Sequence, residues 1–419
     1  MPRTAPAVDL AALTRSLAGE GRVREAAQQD AVDGVPAGAV VRPTTVGAVS
    51  RVLAHCTAQG LTVVPRGAGT ALDWGAPPER ADVVLELAAL DRVLEHAAGD
   101  LIVSVQAGVP LRVLREQLAG AGQELVVDAP RQRLDGGSTV GGALATAVSG
   151  PRRLRRLALR DLVLGATVVL ADGTVAASGG KVVKNVAGYD LAKLMTGSYG
   201  TLAVVVQAAF RLHPVPAARR FVVRTGPLAE VAAAAREVVA SQLAPSAVEL
   251  DRPAGSDTAT VAVLLEGAAD AVTERAARAA ALVGGEVGAE PAWWSALPGG
   301  PVLAKATATL TGVARLLEAA RAAEQRHGVG VAVRGSALGV LHAGITAPAP
   351  AAVAAAVTDL RRVAPAAGEG TVVVLRAPAD VRAGLDAWGP VAGLDLMRAV
   401  KHRLDPGRTL APGRFVGGI

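Results

Sequence analysis

A single cysteine, Cys56, is all the thiol chemistry that the 419 residues hold. No disulfide, cysteine-ligated zinc site or iron–sulfur cluster can be assembled from one thiol, so if this chain handles electrons another cofactor must carry them. Aromatic residues are nearly as scarce, at 2%. Ala, Val and Leu are left to build the core, and the stacking platforms that unpaired nucleic-acid bases need are missing. A clean membrane span is wanting too. Mean hydropathy is +0.37 and 51% of residues are hydrophobic, yet the longest run without Asp, Glu, Lys or Arg, 335–358, is broken by Gly339, Gly344, Pro348 and Pro350. It reads as a strand, a turn and an Ala-rich helix. Met1 to Pro6 lack the apolar stretch of a signal peptide, which points to the cytoplasm. Net charge is +6 and scattered, except at Arg152, Arg153, Arg155, Arg156 and Arg160. That cluster reads as a solvated loop or as a docking patch for a partner subunit or an anionic cofactor.

What is plentiful is glycine, and it is placed unevenly. Val63-Val64 closes an apolar run that reads as a buried strand, Pro65 is expected to end its ladder, and Arg66-Gly67-Ala68-Gly69-Thr70 follows at once. Gly67 and Gly69 can take positive φ and turn successive N–H groups into one concavity, which suits a phosphate or pyrophosphate. A Walker loop would need Gly-Lys-Ser/Thr, and a Rossmann turn would open a helix. The sequence continues instead as Trp74-Gly75-Ala76-Pro77-Pro78, so an anion here would be held by the loop itself. An ordinary glycine turn is the alternative.

Upstream, the residues to about Asp33 read as one amphipathic helix and a connection, followed by a strand at Ala39–Arg42 and a helix capped by Thr44 or Thr45. Downstream come strands at 82–87 and 101–106 and a helix at 111–118, then Asp135-Gly136-Gly137-Ser138-Thr139-Val140-Gly141-Gly142. Ser138 and Thr139 can cap a helix whose surface Gly141 and Gly142 leave bare, either for a ligand or for tight packing on a sheet. A hairpin turns at Asp172-Gly173, in the type I′ form that Asp-Gly favours. Gly179-Gly180-Lys181-Val182-Val183-Lys184-Asn185-Val186-Ala187-Gly188-Tyr189-Asp190 and Gly200-Thr201-Leu202 complete the unusual segments.

In this order the segments resemble the FAD-binding domain of the vanillyl-alcohol oxidase and D-lactate dehydrogenase superfamily, over roughly Ala39 to Pro214. The 179–190 segment and the ending Leu410-Ala411-Pro412-Gly413-Arg414-Phe415 are similar to the FAD-binding E subunit of glycolate oxidase. The resemblance implies an α+β chain: a PCMH-type FAD-binding domain of two subdomains at 36–215, an α+β cap at 216–400, and a tail at 401–419 returning to the first domain. It implies that FAD is held by Pro65, Arg66, Gly67, Ala68, Gly69, Thr70, Ser138, Thr139, Gly141, Gly142, Gly150, Lys184, Asn185, Gly200, Thr201 and Leu202. Many relatives attach FAD through a histidine at the first loop. Here the loop continues Thr70-Ala71-Leu72, so the flavin is expected to be non-covalent, and Ala147 stands where relatives often have asparagine.

Relatives that oxidise 2-hydroxy acids carry a Gly-His-x-Gly-Asp-Gly-Asn-x-His motif on the cap. Here the match is Gly335-Ser336-Ala337-Leu338-Gly339-Val340-Leu341-His342, and one histidine survives, so no metal site is expected. Oxidising an alcohol with a flavin needs a base for the hydroxyl proton and usually a cation for the carboxylate. His342 and Tyr189 are the candidate bases; Arg334, Lys305 and Arg376 are the candidate cations. The expectation is an FAD-dependent oxidoreductase acting on CH–OH groups. It would be a subunit that works on a small 2-hydroxy acid beside a second FAD-binding subunit and an iron–sulfur subunit, through which it could touch the inner face of the membrane. A self-sufficient dehydrogenase and a flavin-holding assembly subunit remain open beside it. Nucleic-acid binding is not expected.

Overall fold

The structure, a computed structural model, describes residues 7–180, 188–366 and 370–419. The first sheet is built from β1 (Gly21–Glu25), β2 (Ala37–Pro43), β3 (Val63–Arg66) and β4 (Ala81–Glu86), in the order β1-β2-β4-β3. β2, β3 and β4 run parallel, and the Ala-Val-Val and Val-Val-Leu runs at their centres are buried, as parallel strands covered on both faces require. The helix Val46–Ala58 covers one face, started by Thr45, whose hydroxyl accepts from the Ala48 N–H at 3.1 Å. β1 was not legible in the sequence: the expected single helix is a short one, Leu10–Leu17, followed by this charged edge strand with one apolar residue, Val23. Pro65 does not end the ladder. It pairs with Leu85, and Arg66 with Glu86, because β3 lies at the sheet edge, where a missing N–H costs nothing.

The second sheet is antiparallel, with β5 (Val93–Ala97), β6 (Ile102–Gln106), β8 (Val163–Val169), β9 (Val175–Gly179) and β10 (Val204–Arg211) in the order β5-β6-β10-β8-β9. A small pair, β7 (Gln123–Glu124) with β11 (His213–Pro214), lies beside it. In the β8–β9 hairpin Gly173 takes φ +88° while Asp172 is not among the positive-φ residues. The turn is therefore not the expected type I′, which needs both central residues positive. The helices Leu111–Ala119 and Val140–Ala145 pack on this sheet through Leu114, Leu118, Val140 and Leu144.

The cap sheet follows, in the order β15-β12-β14-β13-β17-β18-β16-β19. Its strands are β12 (Ala218–Pro227), β13 (Ala247–Arg252), β14 (Thr258–Gly267), β15 (Glu286–Gly288), β16 (Val302–Thr307), β17 (Gly330–Ser336), β18 (Val340–Thr346) and β19 (Val372–Arg376). With helices Leu228–Ala240, Ala269–Val283, Gly312–His327 and Pro350–Ala366 interleaved, the chain traces βαββαβ twice. The two units join edge to edge where β13 meets β17, antiparallel, with Glu249 opposite Ser336 and Asp251 opposite Arg334. All four helices bury their apolar faces on one side of the sheet. The other side is turned to the first domain, where Leu303 and Leu375 close on Trp74 of the glycine loop.

Two polar devices fix the parts together. Arg152, 4% exposed, donates to Asp128 and Glu124 of its own domain and reaches Glu266 of β14 at 3.5 Å. From the tail, Lys401 Nζ donates to the Thr201 carbonyl at 2.7 Å, the Leu410 carbonyl at 2.9 Å and Asp405 at 2.6 Å. The tail then lies along β3, the Val63 N–H donating to the Thr409 carbonyl and the Ala411 N–H to that of Val63.

Candidate functional site

β3 delivers the glycine loop at the carboxyl end of the parallel sheet, where α/β crevices bind ligands. The loop lies against the second glycine segment so closely that a Cβ on Gly67 would sit 2.2 Å from Thr139 Oγ1, and one on Gly136 would sit 2.8 Å from Thr70 Cγ2. Gly69 takes φ +77°. Between the two segments is a cradle lined by Pro65 to Leu72, Arg133, Thr139, Gly142, Ala145, Thr146, Tyr199 and Arg414, continuing past Gly141, Ser198 and Gly200. Thr139 caps the helix Val140–Ala145 by accepting from the Gly142 N–H.

Of the residues assigned to the cofactor from sequence, Pro65, Arg66, Gly67, Ala68, Gly69, Thr70, Thr139, Gly141, Gly142 and Gly200 line this cradle. Arg66 points its guanidinium elsewhere, to Asp30 at 2.9 Å and Glu86 at 2.7 Å. A Cβ on Gly141 would meet Ala107 at 2.8 Å, and one on Gly150 would meet the Asp128 carbonyl at 2.0 Å, so both glycines are required by packing. Ser138, Thr201 and Leu202 lie outside the cradle lining. The Thr201 hydroxyl donates to the Ser198 carbonyl. Lys184 and Asn185 lie outside the described residues.

Among the cradle residues not assigned to the cofactor from sequence are Arg133, Arg414 and Tyr199. Arg133 is 4% exposed, stands 4.6 Å over the Trp74 ring, donates to Thr146 Oγ1 and leaves its Nε without a partner. Burial pulls its pKa down to about 10, so it remains a cation at neutral pH. Arg414 ties the loop down by donating to the Leu72 and Trp74 carbonyls. Tyr199 gathers with Trp388 and Phe415, ring centroids 5.8 and 5.6 Å away, and burial pushes its phenol up to about 12. Tyr199 gave a signal as one of two tyrosines in the chain, and Arg414 as part of the ending Leu410-Ala411-Pro412-Gly413-Arg414-Phe415. Small backbone-lined walls, three threonine hydroxyls and a buried, half-satisfied cation fit a dinucleotide carrying a pyrophosphate. Among the described residues no histidine or cysteine lines the cradle.

A second cavity lies under the open face of the cap sheet, lined by Asp128, Ser149, Gly150 and Arg153 from the first domain and by Glu249, Trp293, Arg334, Ser336, Val340 and His342 from the cap. The segment after the helix Val140–Ala145 joins the two, with Thr146 in the cradle and Ser149 in the cap cavity. Arg334 and His342 therefore do share a site. Tyr189 does not: it is 93% exposed and lines neither cavity. His342 stands in register between Arg334 and Lys305, and burial with the Lys305 and Arg153 charges pulls its pKa down to about 3. Arg334 is already committed, donating to Asp251 at 2.7 Å. Arg376 is held by Asp73 and the Gly300 carbonyl.

The basic cluster is divided: Arg155 and Arg160 are exposed, Arg153 and Arg156 are half-buried and Arg152 is buried. Arg152 is the buried interdomain tie described above, Arg156 approaches Glu266 at 3.7 Å and Arg160 donates to the Thr196 carbonyl. Arg153 lines the cap cavity. Burial lowers the pKa of Arg153, and burial with the Arg153 charge lowers that of Lys305. Neither makes a hydrogen bond or ion pair with a described residue, although nearly every other buried cation does.

Comparison with known proteins agrees with this geometry. Residues 37–179 match the family model described as FAD binding domain. The chain is 33% identical over 217 residues to glycolate oxidase subunit GlcD of Bacillus subtilis, covering 51% of this chain and 46% of that one. It is 36% identical over 178 residues to D-2-hydroxyglutarate dehydrogenase of Xanthomonas citri, covering 42% and 37%. Over 126 residues it is 36% identical to glycolate oxidase subunit GlcE of Escherichia coli, covering 30% and 35%. The matches span less than half the length of each of these relatives. Among solved structures, alkyldihydroxyacetonephosphate synthase superposes with a TM-score of 0.72 at 15% identity, over 98% of this chain and 87% of that one, a likeness of fold. Residues 37–179 thus match an FAD binding domain, the whole chain shares its α+β fold with alkyldihydroxyacetonephosphate synthase, and FAD is its cofactor.

Proposed function

We propose that the chain is an FAD-dependent oxidoreductase that oxidises the CH–OH group of a small 2-hydroxy acid such as glycolate. The observation that carries the reading is a pair of cations that make no hydrogen bond or ion pair with any described residue, Arg153 lining the cap cavity and Lys305 flanking it next to His342. Desolvated cations without partners are costly, and a carboxylate arriving between them offsets that cost. The names of the GlcD, GlcE and D-2-hydroxyglutarate dehydrogenase relatives support the substrate class. Bound FAD supplies a two-electron hydride acceptor. The chain's own residues hold the carboxylate with Arg153 and Lys305, wall the cavity with Trp293 and Val340, and keep the imidazole of His342 neutral.

The assembly we infer is a glycolate oxidase-like complex. Cys56 cannot ligate a cluster alone, so electrons would leave to a partner carrying iron–sulfur centres beside a second FAD-binding subunit. Among the described residues no helix is long and apolar enough to cross a membrane, so any membrane contact would come through those partners. Whether this chain takes the place of the D or the E subunit is decided by which partners co-purify with it.

The test is anaerobic addition of glycolate and D-lactate to the FAD-loaded chain, alone and with co-purified partners, following bleaching of the flavin band. Bleaching by a 2-hydroxy acid is expected. A flavin that no 2-hydroxy acid reduces, in either preparation, would leave a flavin-holding subunit as the better reading. Arg153→Ala and Lys305→Met should each raise KM about ten- to a hundredfold, as loss of a charged hydrogen bond does, with a smaller change in kcat. His342→Ala should lower the rate by less than about tenfold, since a group with so low a pKa makes a poor proton acceptor.

The attachment of FAD is tested separately. With no histidine or cysteine in the cradle lining, trichloroacetic acid should release all flavin into the supernatant. Fluorescence remaining with the denatured band on a gel would show a covalent link.

A further inference from the structure

One buried carboxylate makes no ion pair with any described residue. Among the described residues every other buried aspartate or glutamate sits in an ion pair with an arginine or lysine. Glu249 does not, although it is only 6% exposed, and its Oε1 has no hydrogen-bond partner at all. A carboxyl oxygen left so inside a protein is expensive, and an explanation is needed when the group lines a cavity. Glu249 lines the cap cavity from β13, opposite Ser336 on β17, with His342 and Arg334 on the same wall. Across it, from the FAD binding domain, stands Arg153, which attracts Glu249 electrostatically but makes no hydrogen bond to it. An acid and a cation thus face one cavity, the acid with one oxygen unpartnered and the cation without a hydrogen bond to a described residue. A molecule with a carboxylate at one end and a hydroxyl at the other satisfies both.

We propose that Glu249 is the catalytic residue that accepts the hydroxyl proton of the 2-hydroxy acid. The inference rests on the function proposed above. In the step, the substrate C–H bond would break with its electron pair leaving as hydride to the two-electron acceptor that bound FAD would supply. The O–H bond breaks with its proton passing to the Glu249 carboxylate, and the C=O bond of a 2-oxo acid forms. His342 is a poor acceptor in this surrounding, and the only hydroxyl opposite Glu249 across the seam is that of Ser336.

The charged groups around Glu249 are Asp128 and Arg153 from the FAD binding domain, Asp251 on its own strand, Arg334 and His342 on β17 and β18, and Lys305 beyond. Glu266 of β14 is held by Arg219 at 2.9 Å. Burial, then the Asp128 charge, push the Glu249 pKa up to about 8, with Arg153 and Ser336 pulling the other way. A base with such a conjugate acid is close to the operating pH. The carboxylate form grows as pH rises, so flavin reduction should climb through pH 8 and level off above it.

The experiment compares wild type with Glu249→Gln, which keeps shape and removes the titration. Anaerobic single-turnover reduction of bound FAD by the substrate that bleaches wild type is read from pH 6 to 10, together with binding of the matching 2-oxo acid by perturbation of the flavin spectrum. Glu249→Gln should slow reduction by about a hundredfold or more, the usual share of a general base. It should lose the rise near pH 8 and bind the 2-oxo acid within a few-fold of wild type. Reduction at near wild-type rate with the rising limb intact would overturn the assignment. A 2-oxo acid affinity that falls as far as the rate would overturn it too, leaving a positioning role. Lys305→Met separates the rival base: it should weaken 2-oxo acid binding and keep the pH limb. If it abolishes the limb instead, the proton acceptor is Lys305. A wild type that no 2-hydroxy acid reduces removes the underlying function, and with it this step, whereas a reducible wild type with an unaffected Glu249→Gln removes only the step.

Discussion

Gly67→Val should purify colourless. Its first new carbon would be placed 2.2 Å from Thr139 Oγ1, far inside van der Waals contact, so the loop or Thr139 must move. Thr139 is not free to do so, because its hydroxyl caps the helix Val140–Ala145 and its backbone holds the second glycine segment in place. The two halves of the cradle would be wedged apart, and affinity for FAD should fall at least about a hundredfold, a loss near 3 kcal/mol. The measurement is flavin absorbance per protein after gel filtration, with circular dichroism to show that the chain is still folded. Gly142→Val is the complementary variant. A Cβ there meets nothing nearer than Thr139 Oγ1 at 3.4 Å, so the protein should tolerate it and flavin should be lost because the side chain occupies the ligand's space. Gly99→Ala, with nothing within 4 Å of its Cβ, serves as the control that keeps its colour. Full flavin content in both cradle variants would move the cofactor site elsewhere.

Arg152→Met should be the most damaging change outside the cradle. Arg152 answers Asp128 and Glu124 with short hydrogen bonds and stands 3.5 Å from Glu266; Arg219 partly covers the last two, but Asp128 has no other ion pair. Removing one partner of a buried pair costs about 3–5 kcal/mol, because the survivor keeps its charge without compensation. The sign of the pH dependence identifies the cause. In the native protein burial would raise the Asp128 pKa, but the charge and hydrogen bonds of Arg152 outweigh it and hold the carboxyl below its usual range. That contribution is present above the unfolded pKa and is lost as pH falls through the folded one. Without the Arg152 guanidinium, burial, the first-listed cause, is opposed only by the backbone N–H of residue 152 and the Arg115 charge, and the folded pKa is expected to rise above the unfolded one. The deficit should then shrink as pH falls toward 4 and widen toward 8. Denaturant midpoints of both proteins across that range check it. A deficit independent of pH would mean that the loss is one of packing.

The sequence carried the cradle because its chemistry depends on backbone. Glycines that must touch another chain segment or take positive φ are visible as letters, and Gly67, Gly69 and Thr139 were found that way. Arg133 was not, because an arginine in Arg131-Gln132-Arg133 looks like any surface arginine until the fold buries it over Trp74. The same holds for Arg153, which belonged to a run of arginines whose members turned out to do separate jobs. Strand β1 was missed because it is short, charged and at an edge, with its partner fourteen or more residues away in sequence. Glu249 was invisible for a related reason: its meaning lies in the absence of a partner, and only three dimensions show what is absent around it.

The cap's two βαββαβ units meet where second strand touches second strand, β13 against β17. Geometrically they are near equals, yet chemically they have parted. On the face turned to the cavity the first unit presents acids at the seam, Glu249 and Asp251, and the second presents nitrogen bases and cations, Arg334, His342 and Lys305. A symmetric scaffold has thereby acquired a polarity that its backbone lacks. A small molecule lying across the join meets an electrostatic slope, and one with an anionic head has a reason to lie one way round, head toward the second unit and neutral end toward the first. Handedness of a chiral hydroxy acid would then be read by the order of the two halves along the chain.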